Sequence, residues 1–284
     1  MIWIRLSGGL GNQLFQWAAA EEVRWKTHQN IQFYTHDLKN YAVPRDFLFN
    51  RLLGDFYSNG YPSLIIRLLL RYRITKLVPA LFPWVINKKN STALTARAWY
   101  VLDDYFQNTL QIKIGMKLVA AKIAESAFRN CKITGLFEKL LDRKQNKEVA
   151  AVHIRRTDYL TKANRKIFHL LGTDYYSSAF KKLDKGIKQL FIFSDGDGEE
   201  LPILCNWKIT YIKPLGFSDI EEFLLLSLFD SIIIANSTFS FWAALTLKGN
   251  RSKLMKIGPA HWLLEKDGNT IWNNNLLNAG FIMV

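Results

Sequence analysis

Three short polar segments carry most of the residues that could do chemistry in this 284-residue chain. The first, His153-Ile-Arg155-Arg156-Thr-Asp158, combines an imidazole, two guanidinium groups and a carboxylate. Arginine suits a diphosphate, because its planar group donates two parallel hydrogen bonds and stays charged at any working pH. Adjacent residues of an extended chain point to opposite sides, so one arginine can face a ligand while an acid such as Asp158 holds the other. The alternative interpretation is an ion-pair cluster on the surface.

The other two segments are Ser194-Asp195 and Asn236-Ser237-Thr238-Phe239-Ser240. Hydroxyl groups and the free N–H groups at a helix start can hold phosphate oxygens, whereas an ordinary helix cap is the alternative for the last segment. Asp195-Gly-Asp197 has a spacing with which some nucleotide-sugar enzymes hold a divalent cation, but a solvated acidic loop explains it better. The five histidines lack metal-ligand spacing, so no metal site is predicted.

A glycine-rich segment, Ser7-Gly-Gly-Leu-Gly-Asn12-Gln13, follows an apolar run near the N-terminus. Glycines there let backbone N–H groups approach an anion, or let the Asn12 side chain reach across a cleft. A plain tight turn is the alternative. Leu14 stands where the dinucleotide fingerprint needs its third glycine, which argues against an NAD site.

Short apolar strands that alternate with helices must position the polar segments. The C-terminal half has apolar runs at 149–154, 190–193, 209–212, 232–235 and 254–257, separated by helical patterns at 175–186, 219–229 and 240–248. This alternation predicts a parallel, Rossmann-like sheet with helices on both faces, and a capping box at Ser218 and Glu221 marks one helix start. Ligands bind at the carboxyl ends of such strands, where all three polar segments fall, so one pocket is predicted.

The N-terminal half opens with a strand at 2–6 and a helix at 14–27, with the glycine-rich segment as a loop between them. The pattern of residues 37–145 assigns no elements. A charged run near residue 145 predicts a boundary between two domains, 1–145 and 146–284, and a chain of this length accommodates about two domains.

Composition excludes several classes of protein. The apolar fraction of 49% and the aromatic fraction of 14% exclude a disordered chain. Two cysteines outside any CxxC pair indicate a reducing compartment, and neither a signal peptide nor a membrane-spanning run is found in the sequence. We therefore expect a cytoplasmic protein.

The net charge of +14 is concentrated in the N-terminal half. Segment 64–86 places Arg67, Arg71, Arg73 and Lys76 among apolar residues and is therefore basic and amphipathic. It fits either a core-packing helix with a basic rim or a surface that docks on an anionic membrane at its inner face. Nucleic acid is not expected, because no RNA-binding or helix-turn-helix pattern appears.

Taken together and in this order, the segments resemble the bacterial α-1,2-fucosyltransferases of glycosyltransferase family 11, and more loosely the α-1,6- and protein O-fucosyltransferases. The resemblance implies an α/β, GT-B-like fold of two Rossmann-like halves facing a cleft, with GDP-fucose in the C-terminal half and the acceptor mainly on the N-terminal side. It also implies inversion at the anomeric carbon without a metal or other cofactor. The matching pieces are GGLGNQLFQWA at 8–18, Leu102-Asp103-Asp104-Tyr105-Phe106-Gln107, VHIRRTDY at 152–159, LGTDYYSSA at 171–179, FSD at 193–195, NSTFSFWAA at 236–244 and Gly258-Pro-Ala-His-Trp262.

The resemblance also implies roles for single residues. Arg155 would bind the donor diphosphate and act in catalysis, and His153 and Asp195 would approach the guanosine. Asn12 would reach the donor–acceptor junction. The phosphate or nucleoside contacts would be Ser237, Thr238, Phe239 and Ser240, and the acceptor-side residues would be Asn12, Gln13, Asp104, Tyr105 and Gln107.

The base for the acceptor hydroxyl is not identified by the resemblance. The α-1,6 group carries a glutamate ten residues after the motif histidine, but Ala163 stands there in this chain. Asp158 is the predicted catalytic acid–base residue, with Asp103 and Asp104 as alternatives. Thr157, Asp104 and Gly196 depart from the pattern of the bacterial members. Thr157 is a mild departure, because the α-1,6 group carries threonine there, whereas Asp104 and Gly196 affect acceptor contacts and guanosine recognition rather than the reaction class.

The implied function is transfer of L-fucose from GDP-fucose to the 2-hydroxyl group of a terminal galactoside, in bacterial O-antigen, capsule or other surface glycan synthesis. The acceptor would be a galactose-terminated glycan or a lipid-linked oligosaccharide. The alternatives are a fucosyltransferase of another linkage, a basic module that binds nucleic acid or a membrane surface, and an NAD-dependent enzyme. Only a nucleotide-sugar enzyme explains why the three polar segments fall at successive strand ends. The oligomeric state is not predicted.

Overall fold

The computed structural model describes residues 1–36, 38, 68, 85–86, 100–129, 135, 139, 148–162, 164–196, 207–246 and 254–284. The chain forms two compact units, Met1–Ile123 and Ala124–Val284, and each contains a parallel sheet flanked by helices, which confirms the predicted α/β class. The predicted domain boundary near residue 145 and most of the basic segment 64–86 lie outside the described residues, so both stay predictions.

The first unit contains a four-stranded parallel sheet in the order β2-β1-β4-β3. Every residue of β1 is buried, as expected of an apolar strand in the interior of such a sheet. Its elements are β1 (Ile2–Arg5), α1 (Leu10–Thr27), β2 (Ile31–Tyr34), β3 (Val85–Ile86), β4 (Tyr100–Leu102) and α2 (Lys113–Arg129), which runs past the end of the unit.

Helix α1 begins at Leu10, four residues before the predicted start, so the expectation of a loop holds for residues 7–9 and is wrong for residues 10–13. The glycines of this segment indicated a turn, but only Gly8, with φ +78°, has the left-handed conformation, and Gly9 is the N-cap. Gly11 lies inside the first helical turn together with Asn12.

Helices α1 and α2 pack closely where Gly115 lies against Ala18. A Cβ atom on Gly115 would stand 1.8 Å from the carbonyl oxygen of Ala18. The Glu22 side chain accepts hydrogen bonds from the N–H groups of Ile114 and Gly115 at 2.8 and 2.9 Å, which satisfies two otherwise free donors at the start of α2. The sequence did not predict α2, because no capping residue marks its start and the cap comes from another helix.

The second unit contains a six-stranded parallel sheet in the order β10-β9-β8-β5-β6-β7. All five predicted strands are present within two residues of their expected ends. The elements are β5 (Val149–Ile154), α3 (Thr173–Phe180), β6 (Gln189–Ser194), β7 (Lys208–Tyr211), α4 (Asp219–Leu226), β8 (Ser231–Ile233), α5 (Thr238–Leu245), β9 (Met255–Gly258), α6 (Lys266–Asn278) and β10 (Ile282–Met283).

The predicted capping box at α4 is confirmed, since the Glu221 N–H donates to the Ser218 hydroxyl and the Ser218 N–H donates to the Glu221 carboxylate. Helix α3 ends six residues before its predicted end, at Phe180. Helix α6 was not predicted, because its sequence is rich in asparagine and has little apolar periodicity. It is held by Trp272, whose ring stacks flat on Trp262 at 3.8 Å. Among the described residues, no helix has the length and apolar character needed to cross a bilayer.

Candidate functional site

The Asp195 carboxylate joins the first two polar segments at the carboxyl edge of the second sheet. Strands β5 and β6 are neighbours in register, with Ile154 opposite Ser194, so the residues that follow each strand lie side by side. Asp195 forms an ion pair of 3.0 Å with Arg155 and accepts hydrogen bonds from the Arg156 N–H at 2.7 Å and the Thr157 hydroxyl at 2.6 Å. One carboxylate therefore fixes the three residues that follow β5.

Asp195 remains ionised in this environment. Its partial burial would by itself raise the pKa of the carboxyl, but the Arg155 charge and the hydrogen bonds from Thr157 and Arg156 outweigh burial and hold that pKa below its ordinary value. The Arg155 side chain is 25% exposed, so a ligand can reach its guanidinium group while Asp195 orients it.

The two adjacent arginines point to different surroundings, as expected, and the predicted pairing of one of them with Asp158 stays a prediction. Arg155, the arginine predicted to face the ligand, is held by the acid Asp195. Arg156 is buried and donates to the carbonyl oxygen of Leu171 at 2.6 Å, so it supports the loop. Asp158 begins a short 3-10 helix, Asp158–Leu160, and its side chain lies outside the described part of the chain.

His153 is buried inside β5 next to this ion pair, and its ring stacks on Phe239 of the third segment at 5.6 Å. Burial, together with the positive charge of Arg155, lowers the pKa of His153 to about 3, so the imidazole is neutral at physiological pH. Its Nδ1 atom is buried and has no hydrogen-bond partner among the described residues. A buried polar atom without a partner is costly, and a ligand group that bonds to it would remove the cost.

The third segment lies at the start of α5, with Ser237 as its N-cap. The Ser237 side chain makes no capping hydrogen bond, so the alternative of an ordinary side-chain cap is wrong. Thr238 and Phe239 are half-buried in the first turn of α5, whose N–H groups and positive dipole end suit an anion. The Ser240 hydroxyl is fully buried and donates to the carbonyl oxygen of Ser237 at 3.3 Å, which indicates a structural role.

Hydrogen bonds of Asn236 join three loops at the carboxyl edge of the second sheet, a role that the sequence did not reveal. Its buried side-chain amide donates to the carbonyl oxygens of His169 at 2.7 Å and Trp262 at 2.9 Å. Its own carbonyl oxygen accepts from the Tyr159 hydroxyl at 2.5 Å. The loops after β5, β8 and β9 therefore share one side chain and its backbone, and Asn236 positions the segment without itself facing a ligand.

Two further residues of this edge were missed. Lys213 donates to the carbonyl oxygens of Asp195 and Gly196 at 3.3 and 3.0 Å and so ties down the turn after β6. Glu222 lies half-buried on α4, and burial, followed by the negative charges of Asp219 and Asp195, raises the pKa of its carboxyl to about 7 although Lys213 opposes the shift. No signal in the sequence indicated the burial of Glu222 in the first turn of α4.

In the first unit, the structure brings together two of the predicted acceptor-side residues. The Gln107 amide donates to the Asn12 side-chain oxygen at 3.0 Å, which links the loop after β4 to the start of α1. The Asn12 amide nitrogen packs over Gly8, where a Cβ atom would stand only 2.6 Å away from it. Gln13 is buried, and its amide donates to the Gly8 carbonyl oxygen at 3.0 Å.

The acidic residues after β4 differ in their surroundings. Asp103 is buried and pairs with Arg5 at 3.0 Å, which indicates a structural ion pair rather than a base. Asp104 accepts a hydrogen bond from the N–H of Tyr105, whose ring is exposed. Phe106 has a positive φ of +53°, an uncommon backbone conformation that turns the chain between Tyr105 and Gln107.

No group of three His, Cys, Asp or Glu side chains that could hold a metal ion occurs within the described ranges. Asp197, the second acid of the DxD spacing, lies outside those ranges. The expectation that no metal is needed stays a prediction.

The chain is similar over most of its length to known sugar transferases. The sequence model described as glycosyl transferase family 11 matches residues 88–266. The O-antigen biosynthesis glycosyltransferase WbnK of Escherichia coli is 28% identical over 96% of this chain and 98% of its own length. An alpha-1,2-colitosyltransferase of Escherichia coli is 25% identical over 94% of this chain and 93% of its own length. The solved structure of the fucosyltransferase NodZ from Bradyrhizobium is 14% identical, with a TM-score of 0.49, over 87% of this chain and 92% of that one.

Proposed function

Because the chain belongs to glycosyl transferase family 11 and is therefore a glycosyltransferase, we propose that it transfers L-fucose from GDP-fucose to the 2-hydroxyl group of a terminal galactoside, with inversion at the anomeric carbon. The observation that carries this proposal is the Asp195–Arg155 ion pair at 3.0 Å, at the carboxyl edge of a parallel sheet and next to the neutral His153. Ligands of such sheets bind at this edge.

We assign the leaving diphosphate to Arg155 and the first turn of α5. As the bond to the sugar breaks, negative charge accumulates on GDP, and preorganised donors stabilise that charge. Each hydrogen bond from a charged group contributes about 1.5–3 kcal/mol. The start of α5 lies beside β5, because Phe239 contacts His153, so its N–H groups and the partly exposed Arg155 can act on the same phosphates. We propose that this set of donors stabilises the charge without a metal or cofactor.

We assign the guanosine to His153, Asp195 and Phe239. The neutral imidazole has a buried Nδ1 atom without a described partner, which a base or ribose group of the nucleoside can satisfy. The lowered pKa of Asp195 keeps its carboxylate charged, and this charge holds Arg155 in place through the ion pair. Ser237 and Thr238 are assigned to phosphate or nucleoside oxygens.

We assign the acceptor mainly to residues of the first unit, Asn12, Gln13, Asp104, Tyr105 and Gln107. The hydrogen bond between Gln107 and Asn12 fixes the orientation of the Asn12 amide, which supports a positioning role for this pair. Asp158 is proposed as the base that removes the proton of the acceptor hydroxyl.

We further propose that the acceptor is a galactose-terminated, lipid-linked oligosaccharide of a bacterial surface glycan, and that the enzyme works in the cytoplasm at the inner face of the membrane. The O-antigen biosynthesis glycosyltransferase WbnK, which this chain matches over nearly its whole length, supports a surface polysaccharide.

Calorimetric titration of GDP into the full chain, with EDTA present, tests the donor site first. We expect saturable binding of GDP and clearly weaker binding of ADP, GMP and NAD. Binding that requires a divalent ion would contradict the metal-free proposal and restore Asp195 and Asp197 as cation ligands. Absence of nucleotide binding would contradict the donor site itself.

Incubation with GDP-fucose and a panel of β-galactosides then tests the reaction. We expect a product whose nuclear magnetic resonance spectrum shows an α-linked fucose on the 2-hydroxyl group. A fucosylated product with another linkage would still make the protein a fucosyltransferase but would contradict the proposed 2-hydroxyl linkage.

A second donor is favoured by one specific comparison, the identity of 25% with the alpha-1,2-colitosyltransferase. Colitose is fucose without its 3-hydroxyl group, so the two donors differ by a single hydroxyl group. Parallel rate measurements with GDP-fucose and GDP-colitose distinguish the two proposals, and the donor with the higher kcat/KM is the substrate.

A further inference from the structure

Two loops at the carboxyl edge of the second sheet expose an unusual number of large aliphatic side chains. Ile167 is 51% exposed and Leu264 is 56% exposed, and both Leu160 and Leu170 are 41% exposed. Scattered exposed leucines need no explanation, but a cluster of them marks an interaction surface.

The local structure explains why Ile167 and Leu264 point outward together. The Leu264 N–H donates to the Ile167 carbonyl oxygen at 2.9 Å, and Phe168 pairs with Leu263 in an antiparallel bridge, so the two loops are joined edge to edge. Phe168 turns inward, where its ring lies flat on Tyr159 at 4.4 Å. Ile167 and Leu264 lie opposite each other beside this bridge, and both side chains are exposed.

Basic residues surround this pair. Lys162, Arg165 and Lys166 are exposed in the loop after β5, which carries no acidic residue between Tyr159 and Leu171. At the end of the loop after β9, Lys266 begins α6 and is exposed between the acids Glu265 and Asp267, so the combined surface has an excess of positive charge. Aliphatic side chains flanked by lysine and arginine fit an anionic lipid surface, where the chains enter the headgroup region and the cations meet the lipid charge.

We propose that these two loops, residues 159–170 and 262–266, form a docking surface for an anionic membrane. We refer to them as the lipid-facing loops. Asn236 binds the carbonyl oxygens of His169 and Trp262, so the same side chain that supports the candidate donor site anchors both lipid-facing loops. The docked protein would therefore hold the edge that carries Arg155 at the bilayer. This inference goes beyond the proposed transfer reaction, and its test needs neither nucleotide nor acceptor.

Vesicle co-sedimentation of the full chain tests the proposal, with vesicles of phosphatidylcholine alone and of phosphatidylcholine with phosphatidylglycerol. We expect wild-type binding to the anionic vesicles, reduced at least about fivefold in the double variant Ile167→Ser/Leu264→Ser. The matched control is Leu277→Ser, which removes an equally exposed leucine, 57% exposed, from the asparagine-rich end of α6. The control is expected to bind like wild type.

A second pair of variants tests the charges without altering the aliphatic residues. Arg165→Ala/Lys166→Ala is expected to lose binding to anionic vesicles, whereas Lys181→Ala/Lys182→Ala, which removes the same charge from two exposed positions after α3, is expected to keep it. Melting temperatures equal to that of wild type establish that each variant is folded.

Three results would overturn the proposal. Wild-type protein that binds neither vesicle excludes the docking surface. If variants of the lipid-facing loops bind vesicles like wild type, the membrane contact lies elsewhere on the protein, for example in the basic segment 64–86. A wild-type dimer that becomes monomeric in Ile167→Ser/Leu264→Ser, with no vesicle binding by either, would assign the surface to a second copy of the chain.

Discussion

Replacing Asp195 by asparagine tests the reasoning about the candidate site most directly. The carboxylate contacts Arg155, the Thr157 hydroxyl and the Arg156 N–H, and an amide keeps its shape while losing its charge. A hydrogen bond to a charged group is worth about 1 kcal/mol more than a neutral one, so three contacts predict a loss of about 2–3 kcal/mol in the free energy of unfolding. For a chain of this size that corresponds to a fall of roughly 4–10 °C in melting temperature.

The effect on turnover should exceed the effect on stability. Asp195 orients Arg155, and displacement of a charged group by about 1 Å costs around 100-fold in rate, so we expect kcat/KM for the nucleotide-sugar donor to fall about 100-fold. The matched control is Glu148→Gln, which removes the charge from an exposed ion pair with Lys188 in the same unit. Exposed pairs of this kind contribute little, so the control should match wild type in melting temperature and in rate.

The pH dependence provides an independent check. The pKa of Asp195 is lowered in the folded protein, so its contribution to stability is complete above the ordinary aspartate value of 3.8 and fades as the pH falls through the lowered pKa. The stability difference between wild type and Asp195→Asn should therefore be constant at neutral pH and shrink under acidic conditions. If Asp195→Asn and Glu148→Gln behave alike in all three measurements, the organising role of Asp195 is refuted.

Three other predictions concern single residues. Arg155→Lys should not restore the donor turnover lost in Arg155→Ala, because a point charge cannot reproduce the planar group, and near-normal kcat/KM of the lysine variant would contradict this assignment. Burial raises the pKa of Glu222 to about 7, so the folded protein binds an extra proton between pH 4.5 and 7, and the stability of wild type should fall as the pH rises through this range. In a series of thermal melts, Glu222→Gln should lack this fall. A variant with the same pH profile as wild type would contradict the raised pKa. Gly115→Ala should lower the free energy of unfolding by more than about 3 kcal/mol in a denaturant titration, because the new methyl group would collide with the Ala18 carbonyl oxygen. The control Gly172→Ala should be nearly neutral, because no atom lies within 4 Å of its Cβ position. Equal stability of the two variants would contradict the close packing of α1 and α2.

The second sheet could be predicted because its strands are legible in the sequence. The run 149–154 is apolar except for His153, and it proves to be buried throughout. Parallel strands end at the same edge, so the order of the elements predicts that the segments after β5 and β6 lie together, as Arg155 and Asp195 do. The capping box of α4 was predictable for a different reason, since both partners lie within four residues.

Features that depend on distant partners could not be predicted. Helix α6 has a polar sequence and is held by the stacking of Trp272 on Trp262, ten residues away. The start of α2 is capped by Glu22, which lies 92 positions earlier in the chain than Ile114. The ion pair of Arg155 with Asp195 depends on the register of β5 and β6, which alternation of apolar residues does not specify.

The hydrogen bonds of Asn236 limit how modular this edge of the protein can be. The amide donates to His169 in the loop after β5 and to Trp262 in the loop after β9, and the Asn236 carbonyl oxygen accepts from Tyr159, also in the loop after β5, so one residue joins both loops to its own. A loop after β5 or β9 grafted from a related enzyme would bring its own carbonyl positions to the same Asn236 side chain and compete there with the other loop. Altered specificity is therefore expected to require exchange of all three loops together, whereas transplanting any one of them alone would disturb the residues next to Arg155.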